Sequence, residues 1–168
     1  MGSFAFLCSL LPPLTPDVDR ATAVETWTYY KAITRRLLVW SLLSVTAGTA
    51  LLFSGPLWQG VGLEAIAWGV IDAGVALISG WVTRRRRAGL ADPSAPDVLT
   101  REARTLRRIL LINTGLDVLY ITGGVALTLT LGVDDPFWRG NGWGIVVQGG
   151  FLFFFDLLHA LGVSSGKD

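Results

Sequence analysis

The sequence predicts an all-α integral membrane protein, a four-helix bundle whose internal repeat suggests two tandem helical hairpins. Three observations lead there. Charged residues are only 16% of the chain and mean hydropathy is +0.51, whereas soluble domains carry about 25% charge. Four apolar stretches have the ~17–25 residues that cross a bilayer. The basic residues fall almost entirely to one side of those stretches. With 168 residues, four spans leave no room for a soluble domain of ordinary size.

Residues 1–36 read as a cytoplasmic or interfacial segment and helix. The apolar run 4–11 has no basic region before it, and Pro12-Pro13 closes it too early for a span. That pattern predicts a short segment on the membrane surface rather than a cleaved signal. Cys8, the single cysteine, predicts neither a disulfide framework nor a CxxC metal site. Thr15-Pro16-Asp17 is a helix start, with a capping hydroxyl, Pro at the first position and an acid at the positive end of the dipole. Trp27, Tyr29 and Tyr30 suit the headgroup level, and Lys31, Arg35 and Arg36 the wet side.

The membrane domain occupies 37–162, with spans at about 37–53, 61–82, 107–131 and 142–161. Ser54-Gly55-Pro56 stops the first span. Gly80 and Arg84, Arg85, Arg86 and Arg87 end the second. After a polar linker, Ser94 or Asp97 caps the third helix. It begins amphipathic, with Val98, Leu99, Ala103 and Leu106 against Arg101, Glu102 and Arg104. It enters the membrane at Arg107 and Arg108. Residues 163–168 read as a disordered tail.

Four spans put both termini and the 83–106 segment on one side. That side holds 13 of the 14 basic residues, Arg139 alone lying opposite. The positive-inside rule makes it cytoplasmic, in a bacterial inner membrane. Arg84 to Arg87, Arg107 and Arg108 are then topology anchors at lipid headgroups, where anionic lipid can share the charges. The lipid bilayer is the expected partner. The net charge of +1 leaves no basic surface for nucleic acid.

Arg35-Arg36-Leu37-Leu38 parallels Arg107-Arg108-Ile109-Leu110. Trp58-x-Gly60-x-Gly62 parallels Trp138-x-Gly140-x-Gly142, and Gly69 and Gly149 keep the spacing. Two hairpins in the same orientation would generate this pattern, though Gly- and Leu-rich sequence also matches itself by chance. Gly140-x-Gly142-x-Gly144 follows no strand and is not a nucleotide fingerprint. Like Ala65, Gly69 and Ala73, it reads as close helix packing.

Polar residues inside the spans are the candidate site. Asn113, Asp117, Tyr120 and Gly124 fall on one stripe of the third span. Gln148, Asp156 and His159 loosely share a face of the fourth, and Asp72 lies on the second. At ~1.5 Å per residue, Asp117 sits roughly 14 Å beyond Arg108 and Asp72 roughly 18 Å beyond Arg84. A carboxylate at bilayer depth costs about 2.5–3.5 kcal/mol on insertion scales. The simplest state is a protonated aspartic acid hydrogen-bonded to Asn113, Gln148 or a carbonyl, with His159 the one internal ionic partner, most naturally for Asp156. Such groups either tie helices together, at ~0.6 kcal/mol per bond, or mark a proton or ion pathway.

The residue inventory argues against other chemistries. A single His without a useful Cys predicts no zinc site, and no spacing favours a hard-cation site. No cofactor is expected. Ser41, Ser44 and Thr46 have no His near them in sequence, so no nucleophile–base pair is expected and the chain reads as non-enzymatic.

The segment Ile112-Asn113-Thr114-Gly115-Leu116-Asp117-Val118-Leu119-Tyr120, with Gly140-x-Gly142, Gln148-Gly149-Gly150-Phe151-Leu152 and Asp156, resembles an uncharacterised family of small bacterial four-span membrane proteins, a domain of unknown function. The resemblance runs from the first span to the end of the fourth. It implies an all-helical membrane protein without an established activity or catalytic residues. In that family Asn is common where this chain has Asp72, which ranks Asp72 below Asp117 and Asp156. The leading expectation is a structural or accessory subunit that self-associates or joins a larger membrane complex. The alternative is a small proton- or ion-coupled transporter using Asn113, Asp117, Asp156 and His159.

Overall fold

The computed structural model describes residues 16–163, with side chains from Thr26 onward. The expected surface segment, Cys8, the Thr15 cap and the tail from Ser164 lie outside the described residues. Four helices follow one another: α1 (Pro16–Leu51), α2 (Pro56–Ala88), α3 (Pro96–Leu129) and α4 (Pro136–Gly162). Each opens on a proline, whose fixed φ suits the first turn and whose missing N–H is not needed there. The helix starts recur every 40 residues.

Some helix ends differ from expectation; α3, for one, ends at Leu129 rather than near 131. Leu52 and Phe53, assigned to the first span, form a turn instead, with Phe53 N–H donating to the Ala50 carbonyl (3.3 Å) and Ser54 N–H to that of Leu51 (3.0 Å). At the start of α3 neither Ser94 nor Asp97 caps. Ala95 is the cap residue and Asp97 lies within the first turn. The Ser94 hydroxyl and N–H are both turned back onto Asp92 Oδ1, at 2.5 and 2.8 Å. This is an Asx turn that competes with capping.

Helices α2, α3 and α4 are long and apolar enough to cross a membrane. α1 is not among them, because a stretch of spanning length drawn back from Leu51 takes in Arg36 and Arg35. The interior explains the surface. Many buried positions are small or polar, among them Ser41, Ser44, Asn141 and Gln148, while many large apolar side chains point outward, with Phe53 88%, Leu42 68% and Leu129 68% exposed. A water-soluble domain buries such residues and rarely exposes a continuous apolar surface.

Glycines set the spacing of the bundle. α2 packs along both α1 and α4, and α4 along α3, while α1 and α3 meet little. In the first hairpin, a Cβ built on Gly48 or Gly62 would lie 2.6 Å from the other's carbonyl oxygen. Gly124 and Gly142 repeat this in the second at 2.7 Å. Between the hairpins, a Cβ on Gly60 would strike the Phe137 carbonyl, and one on Gly140 the Leu57 carbonyl. Backbones this close need small residues and gain dispersion contact along the crossing. At the arginine-rich end, larger apolar residues take over: Leu106, Leu110, Ala160 and Val163 form one cluster, and Trp27 packs on Leu99.

Candidate functional site

The inward faces of α2, α3 and α4 recur at steps of one or two helical turns, three, four or seven residues, and the acids occupy those faces. On α2 the buried series runs Ala65, Gly69, Asp72, Ala76; on α3, Leu106, Leu110, Asp117, Gly124; on α4, Gln148, Phe155, Asp156, His159. The 3.6-residue period therefore turns all three aspartates inward. Asp72 and Asp117 are each 4% exposed and Asp156 7%.

The three carboxyls lie in one electrostatic neighbourhood rather than in one tight cluster. Asp156 is within electrostatic range of both Asp117 and Asp72, and Asp72 of Asp117, with Asn113 on the side of Asp156. No Lys or Arg acts on any of the three. Oδ2 of Asp72 and Oδ2 of Asp117 are buried without a hydrogen-bond partner. Burying three carboxyls with no cation beside them penalises their charged forms. Among the described residues no group of three or more His, Cys, Asp or Glu is disposed to hold a metal ion.

The other polar residues of the candidate site are not in this cluster. His159 does not face Asp156. Its Nδ1 lies 2.6 Å from the Phe155 carbonyl, and its Nε2 2.9 Å from Arg36 Nη1. A carbonyl can only accept and a guanidinium only donate, which assigns the proton to Nδ1 and makes the ring neutral. Both nitrogens are thus committed away from Asp156. Gln148 bridges α4 to α1, its Oε1 accepting from Trp40 Nε1 at 3.0 Å, with Ser44 Oγ alongside. Trp40 stacks on Phe151 at 3.6 Å. Tyr120 is exposed and meets the edge of Trp68 at 4.8 Å. The shared stripe of Asn113, Asp117 and Tyr120 is too wide for all three to face one cavity.

The anchor arginines divide in the same way. Arg84 to Arg87 and Arg108 are exposed, and Arg107 is half-buried. Arg85 lies over the Trp81 ring at 4.2 Å and Arg87 over Trp27 at 5.5 Å. Arg86 pairs with Glu102 at 2.6 Å. Glu102 was expected on the polar face of α3, yet it is buried and also accepts from the Tyr30 hydroxyl at 3.3 Å. Burial and the neighbouring Glu102 carboxylate push the Tyr30 phenol above its ordinary range, so it stays a neutral donor. The spacing Leu99, Glu102, Leu106, Leu110 carries the signal that places Glu102 inside. Nothing local in the sequence announces Trp40 as the donor to Gln148.

A family model described as a family of unknown function (DUF6992) matches residues 36–157, so the chain belongs to that family. No curated protein and no solved structure matches. The matched region contains the whole carboxyl cluster and the glycine crossings.

Proposed function

We propose that this member of DUF6992 is a non-enzymatic, four-span protein of a bacterial inner membrane whose buried aspartates take up and release protons in a coupled transport step. The observation that carries the reading is the burial of Asp72, Asp117 and Asp156 within electrostatic range of one another, with two buried carboxyl oxygens left unpartnered. Groups that merely hold helices together gain by satisfying each other. A site that exchanges protons needs spare acceptor capacity in a water-poor interior. A non-enzymatic role is supported by the hydroxyls: Ser41 Oγ donates to the Leu37 carbonyl at 2.8 Å and Ser44 lies against Gln148, while His159 is engaged elsewhere.

Both termini on the cytoplasmic side follow from the basic bias. The tandem-hairpin arrangement is supported by a reciprocal contact. Gly60 faces the Phe137 carbonyl and Gly140 faces that of Leu57, and each pair is related by the same offset along the chain. Equivalent residues that exchange equivalent contacts are what a two-fold relation produces. Parallel repeats of this kind hold sites at their interface in many transporters, and the carboxyl cluster draws on α2, α3 and α4.

The test is Asp117→Asn in proteoliposomes under an imposed pH gradient. The substitution keeps the shape and most hydrogen bonding but removes titration. We expect proton flux in the wild type, at least about tenfold less in the variant, and unchanged assembly. No flux from the wild type, or equal flux from both, would sink the transport reading. A second reading, a structural or accessory subunit that self-associates, is favoured by glycines on the outer face of α3 that no helix of the bundle covers.

A further inference from the structure

Between α1 and α2, at the arginine-rich end, lies a cleft of about 310 Å³. Lys31 and Arg35 of α1 and Arg84 and Arg87 of α2 line it, over a floor that includes Leu38 and Gly80. Among the described residues that line the cleft there is no Asp or Glu. Arg86, next to Arg87, is already occupied by Glu102. Four positive charges therefore converge on an apolar cleft from two helices. Val39 on α1 and Leu77 and Ile78 on α2, near Leu38 and Gly80 in sequence, are exposed apolar residues.

We propose that this cleft is a binding site for one anionic phospholipid, its phosphate held by Lys31, Arg35, Arg84 and Arg87 and an acyl chain running along Leu38 and Gly80. The proposal rests on the membrane reading above. The phosphate chemistry alone would also suit free inorganic phosphate. The apolar floor decides for the lipid, because a small hydrated anion gains nothing from Leu38, whereas a lipid satisfies both halves of the cleft at once. The four arginines of the 84–87 run are then not equivalent. Arg86 ties α2 to α3 and Arg85 covers Trp81, while Arg84, with its Nε on the Gly80 carbonyl, and Arg87, over Trp27, line the lipid cleft.

Gly80 permits a test that leaves every charge in place. A Cβ there would meet Thr34 Cγ2 at 3.4 Å, an ordinary contact, so Gly80→Leu extends into the cleft without forcing the helices apart. The protein is extracted with detergent from washed membranes, and bound lipid is counted by native mass spectrometry after titration with phosphatidylglycerol or phosphatidylcholine. Recovery in the soluble fraction would overturn the membrane reading itself, separately from the lipid site. With extraction secured, we expect one phosphatidylglycerol retained in preference to phosphatidylcholine. We expect about tenfold weaker retention in Gly80→Leu and in Lys31→Gln/Arg35→Gln, and no change in Arg85→Gln. Equal retention of the two lipids, full retention by Gly80→Leu, or displacement by millimolar inorganic phosphate would each overturn the proposal.

Discussion

Glycine identity is where single residues matter most in this chain. Gly140 and Gly150 are nearly three turns apart within one helix, yet their surroundings are opposite. A side chain on Gly140 would collide with the Leu57 backbone, while Gly150 has nothing within 4 Å. Gly140→Ala should cost about 1–3 kcal/mol, because a carbonyl on a packed helix cannot step aside as a flexible side chain can. Gly150→Ala should be neutral or stabilise by up to about 1 kcal/mol, since alanine is the better helix former. Thermal unfolding in detergent reads both: the first should lower Tm by several degrees and the second should not. Equal behaviour of the two would mean that the α2–α4 crossing is looser than the contact implies. The sequence could announce the small-residue spacing here. It could not separate a glycine pressed against another helix from one facing outward, because both fit the same composition.

At the scale of elements, one carboxylate joins three helices. Glu102 on α3 receives Arg86 from α2 at 2.6 Å and the Tyr30 hydroxyl from α1. Tyr30 also reaches the Glu102 backbone carbonyl at 3.1 Å, and the Arg86 side chain is 53% exposed. Loss of the carboxylate therefore leaves Tyr30 one acceptor and lets Arg86 return to water. Glu102→Ala should cost about 1–2 kcal/mol, well short of a fully buried pair. The effect should be local: faster amide exchange around the 89–95 connection and the start of α3, with the glycine crossings unchanged. Glu102→Gln should fall between the two, as it keeps an acceptor for Tyr30 without the charge. Exchange in 89–102 identical to wild type in both variants would show that packing alone holds this end. Helix number, order and approximate limits were legible in the sequence, since prolines, glycines and apolar runs act locally. So was the inward turn of Asp72, Asp117 and Asp156, which follows from period. The partners of His159 and Gln148 were not, because Arg36 and Trp40 lie more than a hundred residues away in the chain and only the packing of both α1 and α4 on α2 brings them near.

The molecule as a whole is turned inside out relative to a soluble bundle, and that frames its association. Lipid satisfies an apolar surface as well as another protein does, so exposed leucines alone predict no oligomer. Glycines are different. Gly48, Gly62, Gly124 and Gly142 are each covered by a neighbouring helix, whereas Gly115 and Gly123 on α3 have nothing within 4 Å. With exposed Thr122 and Ala126 they make a shallow face on the outside of the bundle. Such a face lets a second helix approach to backbone distance, where dispersion and weak hydrogen bonds favour protein over lipid. If the accessory-subunit reading holds, the wild type should be a dimer or larger in gentle detergent by light scattering. Gly115→Leu and Gly123→Leu should then shift it to monomer. Neither change meets an internal neighbour and each adds helix propensity, so Tm should not fall. A wild type that is already monomeric without a co-purifying protein, or variants that associate as before, would remove α3 as the assembly face and leave the carboxyl cluster as the chain's main functional feature.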